Sequence, residues 1–207
     1  MANTGNIEIE LKIRLDSFTD YLKLLGHIGP IDHTEHHHNA FFDSPERELS
    51  KAGYVLRVRS SDQSGSVTLK SAIPQTTILA VREEISGEVG SDAARRLIEG
   101  QADLMTLDVE PMIRVRHEFP SLKPRVTLKF RNERQVKRYR LGKHELNLEI
   151  DRTEFADGST DYELEVELDD HSQFESVNAA LERLFHCLVI PYEGQTKSKF
   201  ERALARS

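Results

Sequence analysis

Ile7-Glu8-Ile9-Glu10-Leu11-Lys12-Ile13-Arg14-Leu15 alternates apolar and charged side chains over nine positions. A period of two belongs to a β-strand with two unlike faces. The pattern returns late in the chain. Leu146, Leu148 and Ile150 alternate with Asn147, Glu149 and Asp151, and Glu163, Glu165 and Glu167 share one face of the segment 162–168. In an ordinary half-buried sheet such charges face water. Here, however, the carboxylates are gathered as Glu8/Glu10, Glu149/Asp151 and Glu163/Glu165/Glu167. Like charges two apart on one strand repel, so such rows need cations from other strands. Lys12/Arg14, Arg57/Arg59, Lys70, Arg82 and Lys129/Arg131 supply them. A sheet closed with this face inward brings acids and bases together around a central cavity.

Working outward from these strands, Asp16-Ser17 offers an N-cap to a helix over 18–27, which Gly29-Pro30 closes. A strand over 36–42 runs into the turn Asp43-Ser44-Pro45. Further strands are predicted over 54–59, 66–70 and 79–88, with Pro74 in the turn between the last two. A helix follows over 92–101. Strands are then expected over 113–117 and 125–140, the second broken by a bulge or turn near Asn132, and over 145–154 and 162–168. Ser172-Gln173-Phe174-Glu175 has the form of a capping box opening a helix to about residue 188. Its Val177, Leu181, Leu184 and Leu188 form a core-facing stripe. Thr196 is positioned to cap a last helix through 206. The expected class is α+β, mainly antiparallel β, in one continuous domain over 1–207, a length that supports a sizeable core.

Composition narrows the function classes. The chain is 30% charged and 38% hydrophobic, with a formal net charge of −7, which argues against general nucleic-acid binding. No apolar run approaches the roughly 20 residues of a membrane span, and the N-terminal residues lack the basic-then-apolar layout of a secretory signal. Cys187 is the only cysteine, so neither an intrachain disulfide nor a thiolate metal site is available. These features suit a reducing, cytoplasmic compartment. Cys187 itself, in an apolar helical run, reads as a small core residue. His36-His37-His38 places only His36 and His38 on one strand face without a third ligand, and reads as surface or strand edge. Ser44 and Ser198 have no His/Asp arrangement for nucleophilic catalysis.

A dense set of enclosed charges is costly unless ions or ligands complete it. A polyanion satisfies the Lys/Arg set, and a divalent cation satisfies the carboxylates. Ligands that are all carboxylate oxygens favour Mg²⁺ or Mn²⁺ over zinc or copper. A triphosphate accompanied by Mg²⁺ or Mn²⁺ meets both conditions.

Glu8-Ile9-Glu10-Leu11-Lys12 has the ExExK form. Phe41-Phe42-Asp43-Ser44-Pro45, Leu56-Arg57-Val58-Arg59, Thr68-Leu69-Lys70, Arg82-Glu83-Glu84, Leu148-Glu149-Ile150-Asp151, the Glu163/Glu165/Glu167 strand and Ser198-Lys199-Phe200 follow in order. Along nearly the whole chain this series resembles the CYTH superfamily, the triphosphate tunnel metalloenzymes. The resemblance implies a closed eight-stranded barrel, a tunnel, divalent-metal dependence with two ions per site, and phosphate-chain substrates. It implies that Glu8, Glu10 and Glu165 hold one metal, while Glu84, Asp151 and Glu167 serve the second and the attacking water. Lys12, Arg14, Arg57, Arg59, Lys70, Arg82 and Lys199 are the implied phosphate contacts, and Lys129, Arg131 and Arg134 are candidates from the family's basic strand. Glu84 is preferred to Glu83 because it shares strand parity with Arg82. The implied reaction is hydrolysis of a small triphosphate, inorganic tripolyphosphate foremost. Thiamine triphosphatase, adenylate cyclase of the class IV type and a non-catalytic polyphosphate-binding module are the alternatives. A small-molecule triphosphate is the expected partner, with neither nucleic acid nor membrane.

Overall fold

The computed structural model describes residues 6–71 and 77–207. In chain order the elements are β1 (Asn6–Leu15), α1 (Phe18–Ile28), β2 (His33–Asp43), α2 (Glu48–Lys51), β3 (Tyr54–Ser60), β4 (Gly65–Ser71) and β5 (Leu79–Val89). Then come α3 (Ser91–Ile98), α4 (Glu110–Glu118), β6 (Arg125–Leu141), β7 (His144–Phe155), β8 (Thr160–Glu167), α5 (Phe174–Leu188) and α6 (Lys199–Leu204). The strands close into one barrel in the order β1-β5-β4-β3-β2-β6-β7-β8, every pairing antiparallel. The expected turn at Pro74 lies outside the described residues. No helix among the described residues is long and apolar enough to cross a membrane.

The barrel keeps its apolar faces outside and covers them with helices. Leu11, Ile13, Leu148, Ile150, Leu164 and Val166 point outward and are buried under Tyr21, Leu24 and Ile28 of α1 and Val177, Leu181 and Phe185 of α5. On the opposite wall Phe42, Leu56, Val58, Val67 and Leu69 pack against Ala94 and Leu97 of α3 and Met112 and Val115 of α4. Burying these side chains stabilises each by about 1.5–3 kcal/mol. The alternation then leaves the charged set no face but the lumen. Gly65 permits the close approach of α3, because a Cβ there would lie 2.5 Å from Ala94 Cβ and 2.9 Å from Gly90 O. A third cluster sits inside the barrel, where Phe41, Leu128, Phe130 and Phe155 meet Phe200 and Ala203.

Four local expectations change. The segment 113–117 is helical, part of α4: Met112 and Val115 are its buried face at helical spacing, Pro111 starts it, and Ile113 is exposed. The irregularity of β6 lies at Thr127 and not near Asn132, since pairing with β2 steps from Phe41↔Leu128 to Phe42↔Val126. Asp170 caps a 3-10 turn (His171–Gln173) ahead of α5, and no capping box forms there, whereas Ser198 and Glu201 make a complete box on α6 in place of Thr196. Cys187 is exposed, because the buried stripe of α5 runs through Val177, Ala180, Leu181 and Phe185 and the thiol falls on the other side.

Candidate active site

Strand parity assembles the site. Lumen-facing residues from all eight strands and the N-terminal turn of α6 enclose a cavity of about 300 Å³. Strand β1 contributes Glu8, Glu10 and Lys12, and β3 contributes Arg57 and Arg59. Lys70, Glu84, Arg134 and Glu149 enter from β4, β5, β6 and β7, Glu165 and Glu167 from β8, and Lys199 from α6. Phe41, Phe130 and Phe200 form an apolar wall at one side, with the Phe41 and Phe200 rings 4.9 Å apart.

The cations are held in a graded set of ion pairs. Lys12 Nζ lies 2.8 Å from Glu10 and 2.7 Å from Glu165. Lys199 Nζ reaches Asp151 at 2.7 Å, Glu165 at 2.9 Å and also Glu163. Arg134 donates through Nε (2.9 Å) and Nη2 (2.7 Å) to the two oxygens of Asp151, and also pairs with Glu149 and Glu165. Lys70 bridges Glu8 at 3.0 Å and Glu84. Arg57 is only 3.8 Å from Glu84. Arg59 forms no ion pair among the described residues, and its Nε donates to the amide oxygen of Asn39 at 2.9 Å.

These neighbours set the ionisation of the site. Burial opposes the charge of Asp151, yet Arg134 and Lys199 prevail and hold its carboxyl down at about 2. Glu84, also resisted by burial, is brought to about 2 by Lys70 and Arg57. Glu165 is held well below the usual range by Lys12, Lys199 and Arg134. Other carboxyls go the opposite way. Burial raises Glu10 despite Lys12, and burial together with Glu8 and Glu84 raises Glu167. Burial lifts Glu149 to about 7, with Glu165 and Asp151 adding to the effect and Arg134 opposing it. Raised carboxyls beside depressed ones mark a cavity with more acid than its own cations satisfy.

A tight carboxylate group lies within this set. Asp151, Glu163 and Glu165 are all buried and present oxygens within 4.8 Å of one another. Three such oxygens are a fitting donor set for a hard divalent cation.

Glu8, Glu10, Lys12, Arg57, Arg59, Lys70, Glu84, Arg134, Glu165, Glu167 and Lys199, all singled out from sequence, line one cavity. Asp151 is fully buried beneath them, tied to Arg134 and Lys199. Between Glu83 and Glu84 it is Glu84 that enters the lumen, while Glu83 is exposed. Three candidates lie elsewhere. Arg14 has lumen parity but sits past the end of the cavity, paired with Asp16 and Glu193 and lining a separate cleft. Lys129 and Arg131 are exposed on the outer face, because β6 turns Leu128, Phe130, Asn132 and Arg134 inward. The Arg82 side chain lies outside the described residues. Its backbone pairs with Glu8.

Glu149 and Glu163 belong to the inward carboxylate rows but are given no role from sequence, although their parity with Asp151 and Glu165 is the available signal. The histidine run reads from sequence as surface or strand edge. His36 and His38 are indeed exposed, but His37 between them is buried on the lumen face, 3.0 Å from Glu35.

Solved structures share this architecture. HpAC1 from Hippeastrum superposes with a TM-score of 0.83 at 26% identity, covering 97% of this chain and 96% of its own. A candidate adenylate cyclase from Bacillus halodurans gives 0.69 at 21% identity, with 95% and 97% covered. PH1819 from Pyrococcus horikoshii gives 0.62 at 17% identity, with 96% and 99% covered. No curated protein sequence matches the chain. The CYTH domain model matches residues 6–203, nearly the whole barrel and its last helix, and the chain belongs to the CYTH domain family.

Proposed function

We propose that this protein is a divalent-metal-dependent triphosphatase that cleaves inorganic tripolyphosphate to phosphate and pyrophosphate inside the barrel. The observation that carries the reading is the cavity itself, where enclosed cations and a surplus of carboxylates converge from seven strands and α6. Enclosed charge on this scale is favourable only when a guest completes it. A phosphate chain supplies counter-charge to Arg57 and Arg59, the two arginines of the cavity least satisfied by protein carboxylates. Hydrolysis as the reaction draws support from HpAC1, which is described as having a dominant triphosphatase activity.

The carboxylate surplus fits Mg²⁺ or Mn²⁺, with two ions per site. Glu8, Glu10 and Glu165 would hold one, and Glu84, Asp151 and Glu167 the other, with Glu163 beside Asp151 as its cross-strand partner. Such ions, when bound, supply Lewis-acid neutralisation of the phosphate chain and activation of water. Lys12, Arg57, Arg59, Lys70, Arg134 and Lys199 bind and orient the chain, and they neutralise charge as it develops on the transferred phosphoryl group. Glu149 lines the same cavity, pairs with Arg134, and has its carboxyl lifted by burial to about 7. The Phe41, Phe130 and Phe200 wall excludes water on its side of the cavity.

That same aromatic wall favours a second reading, in which a ring-bearing triphosphate such as thiamine triphosphate is accepted. The test is to incubate the protein with tripolyphosphate, thiamine triphosphate or ATP, each with Mg²⁺ or Mn²⁺, measuring orthophosphate and cyclic AMP. Metal-dependent phosphate release that Glu8→Ala and Asp151→Ala both abolish supports the triphosphatase and ranks its substrates. Cyclic AMP as the main product makes the protein a cyclase. Binding without turnover makes it a polyphosphate-binding module. A cytoplasmic setting suits a chain with a single, exposed cysteine.

A further inference from the structure

Arg59 is unlike the other cations of the barrel. Lys12, Lys70, Arg134 and Lys199 each lie within 3.0 Å of at least one carboxylate. Arg59 forms no ion pair among the described residues. Its cross-strand neighbours are Asn39 on β2 and Ser66 on β4, both neutral. Its side-chain hydrogen-bond partner among the described residues is the Asn39 amide oxygen, which accepts from Nε at 2.9 Å. Burial, with Arg57 and Arg134 adding to it, pushes the guanidinium down to about 9, the behaviour of an enclosed cation without a counter-ion. Asn39 is 1% exposed, and its own Nδ2 has no hydrogen-bond partner. A buried amide donor without an acceptor is costly, so its retention needs a reason.

We propose that Asn39 is a positioning residue for the phosphate chain: a neutral acceptor fixes Arg59 through Nε, so the outer edge of the guanidinium and its whole charge remain for substrate. The functional property is the amide's neutrality. A carboxylate at this position would meet the same Nε–H but would also cancel the charge, as Asp151 does for Arg134. The inference rests on the triphosphatase reading and adds to it a residue that acts through Arg59 without belonging to the charged set.

The test is a steady-state cycle with tripolyphosphate and Mg²⁺ on the wild type, Asn39→Ala, Asn39→Asp, Arg59→Ala and the Asn39→Ala/Arg59→Ala pair, with thermal melting of each. Asn39→Ala is expected to raise KM about tenfold, the size of one hydrogen bond to a charged group, with kcat changed less than about threefold. The isosteric Asn39→Asp should raise KM further still. In the Arg59→Ala background Asn39→Ala should add nothing, a non-additivity that a merely structural role does not produce. Additive effects, a loss confined to kcat or melting temperature, or an Asn39→Asp protein with wild-type KM would each overturn the role of Asn39 and leave the triphosphatase standing. A wild type that turns over no triphosphate overturns both.

Discussion

His37 offers a quantitative check on the interior of the barrel. The ring is 5% exposed on the lumen face of β2, with Nε2 3.0 Å from Glu35 and Nδ1 without a partner. The charged groups around it are Glu35 on its own strand, Arg57 and Arg59 on β3, Arg134 on β6 and Asp151 on β7. Burial disfavours the imidazolium most, Arg59 and Arg134 follow, and Asp151 opposes them. The Glu35 side chain is 40% exposed and screened by water, so it does not reverse the balance. The pKa is pushed from 6.5 down to about 2. The folded ring therefore stays neutral where an unfolded histidine takes up a proton, and the unfolded state binds more protons between pH 6.5 and about 2. Stability falls as pH falls through that window. Between pH 7.5 and pH 5 the loss is about 2 kcal/mol, and it stays near that value for any folded pKa below about 4. For a chain of this size that is about 4–8 °C in Tm. His37→Gln keeps a donor for Glu35 and cannot titrate. In calorimetry with chelator and no phosphate, its melting temperature relative to wild type should rise by about 4–8 °C on going from pH 7.5 to pH 5. Parallel pH profiles for the two proteins would mean that the native ring accepts the proton, against an enclosed neutral imidazole.

Arg134→Ala leaves Asp151, Glu149 and Glu165 short of a cation, so it should destabilise by about 3–5 kcal/mol and abolish triphosphate turnover, while Lys129→Ala and Arg131→Ala stay within about 0.5 kcal/mol of wild type; urea titration and phosphate release check all three. Arg14→Ala should leave KM for tripolyphosphate within about twofold and cost less than about 1 kcal/mol, since its pairs with Asp16 and Glu193 are exposed. Asp43→Ala should destabilise by about 2–4 kcal/mol in urea, because the buried carboxylate accepts from the backbone N–H groups of Ser44, Leu49 and Ser50, which would be left without it.

Strand identity and facing were readable from sequence wherever alternation is strict. The runs through Glu8, Glu10 and Lys12, through Arg57 and Arg59, and through Glu163, Glu165 and Glu167 obey the two-residue period, and each delivers its charges to one face. The same period selects Glu84 over Glu83. Elsewhere the local signals are ambiguous. The segment 113–117 is too short for alternation to be told from helical spacing, and α4 was settled by the packing of Met112 and Val115 against the sheet. On β6 a single extra residue at Thr127 shifts its pairing with β2, and in the unbroken register beyond it the parity that sets Leu128 opposite Phe41 turns Arg134 inward and Lys129 and Arg131 outward. Parity says which face a residue occupies and says nothing about depth along the barrel axis. Arg14 therefore shares a face with Lys12 yet lies beyond the cavity, and Glu163 reaches Asp151 only because β7 and β8 pair Asp151↔Glu163. The chain by itself determined the barrel strands, their charged faces and the chemistry they favour, because these follow from a period of two. Tertiary structure alone decided which charges meet, which cation is left without a carboxylate and which histidine is enclosed, because those depend on register and depth between strands far apart in sequence.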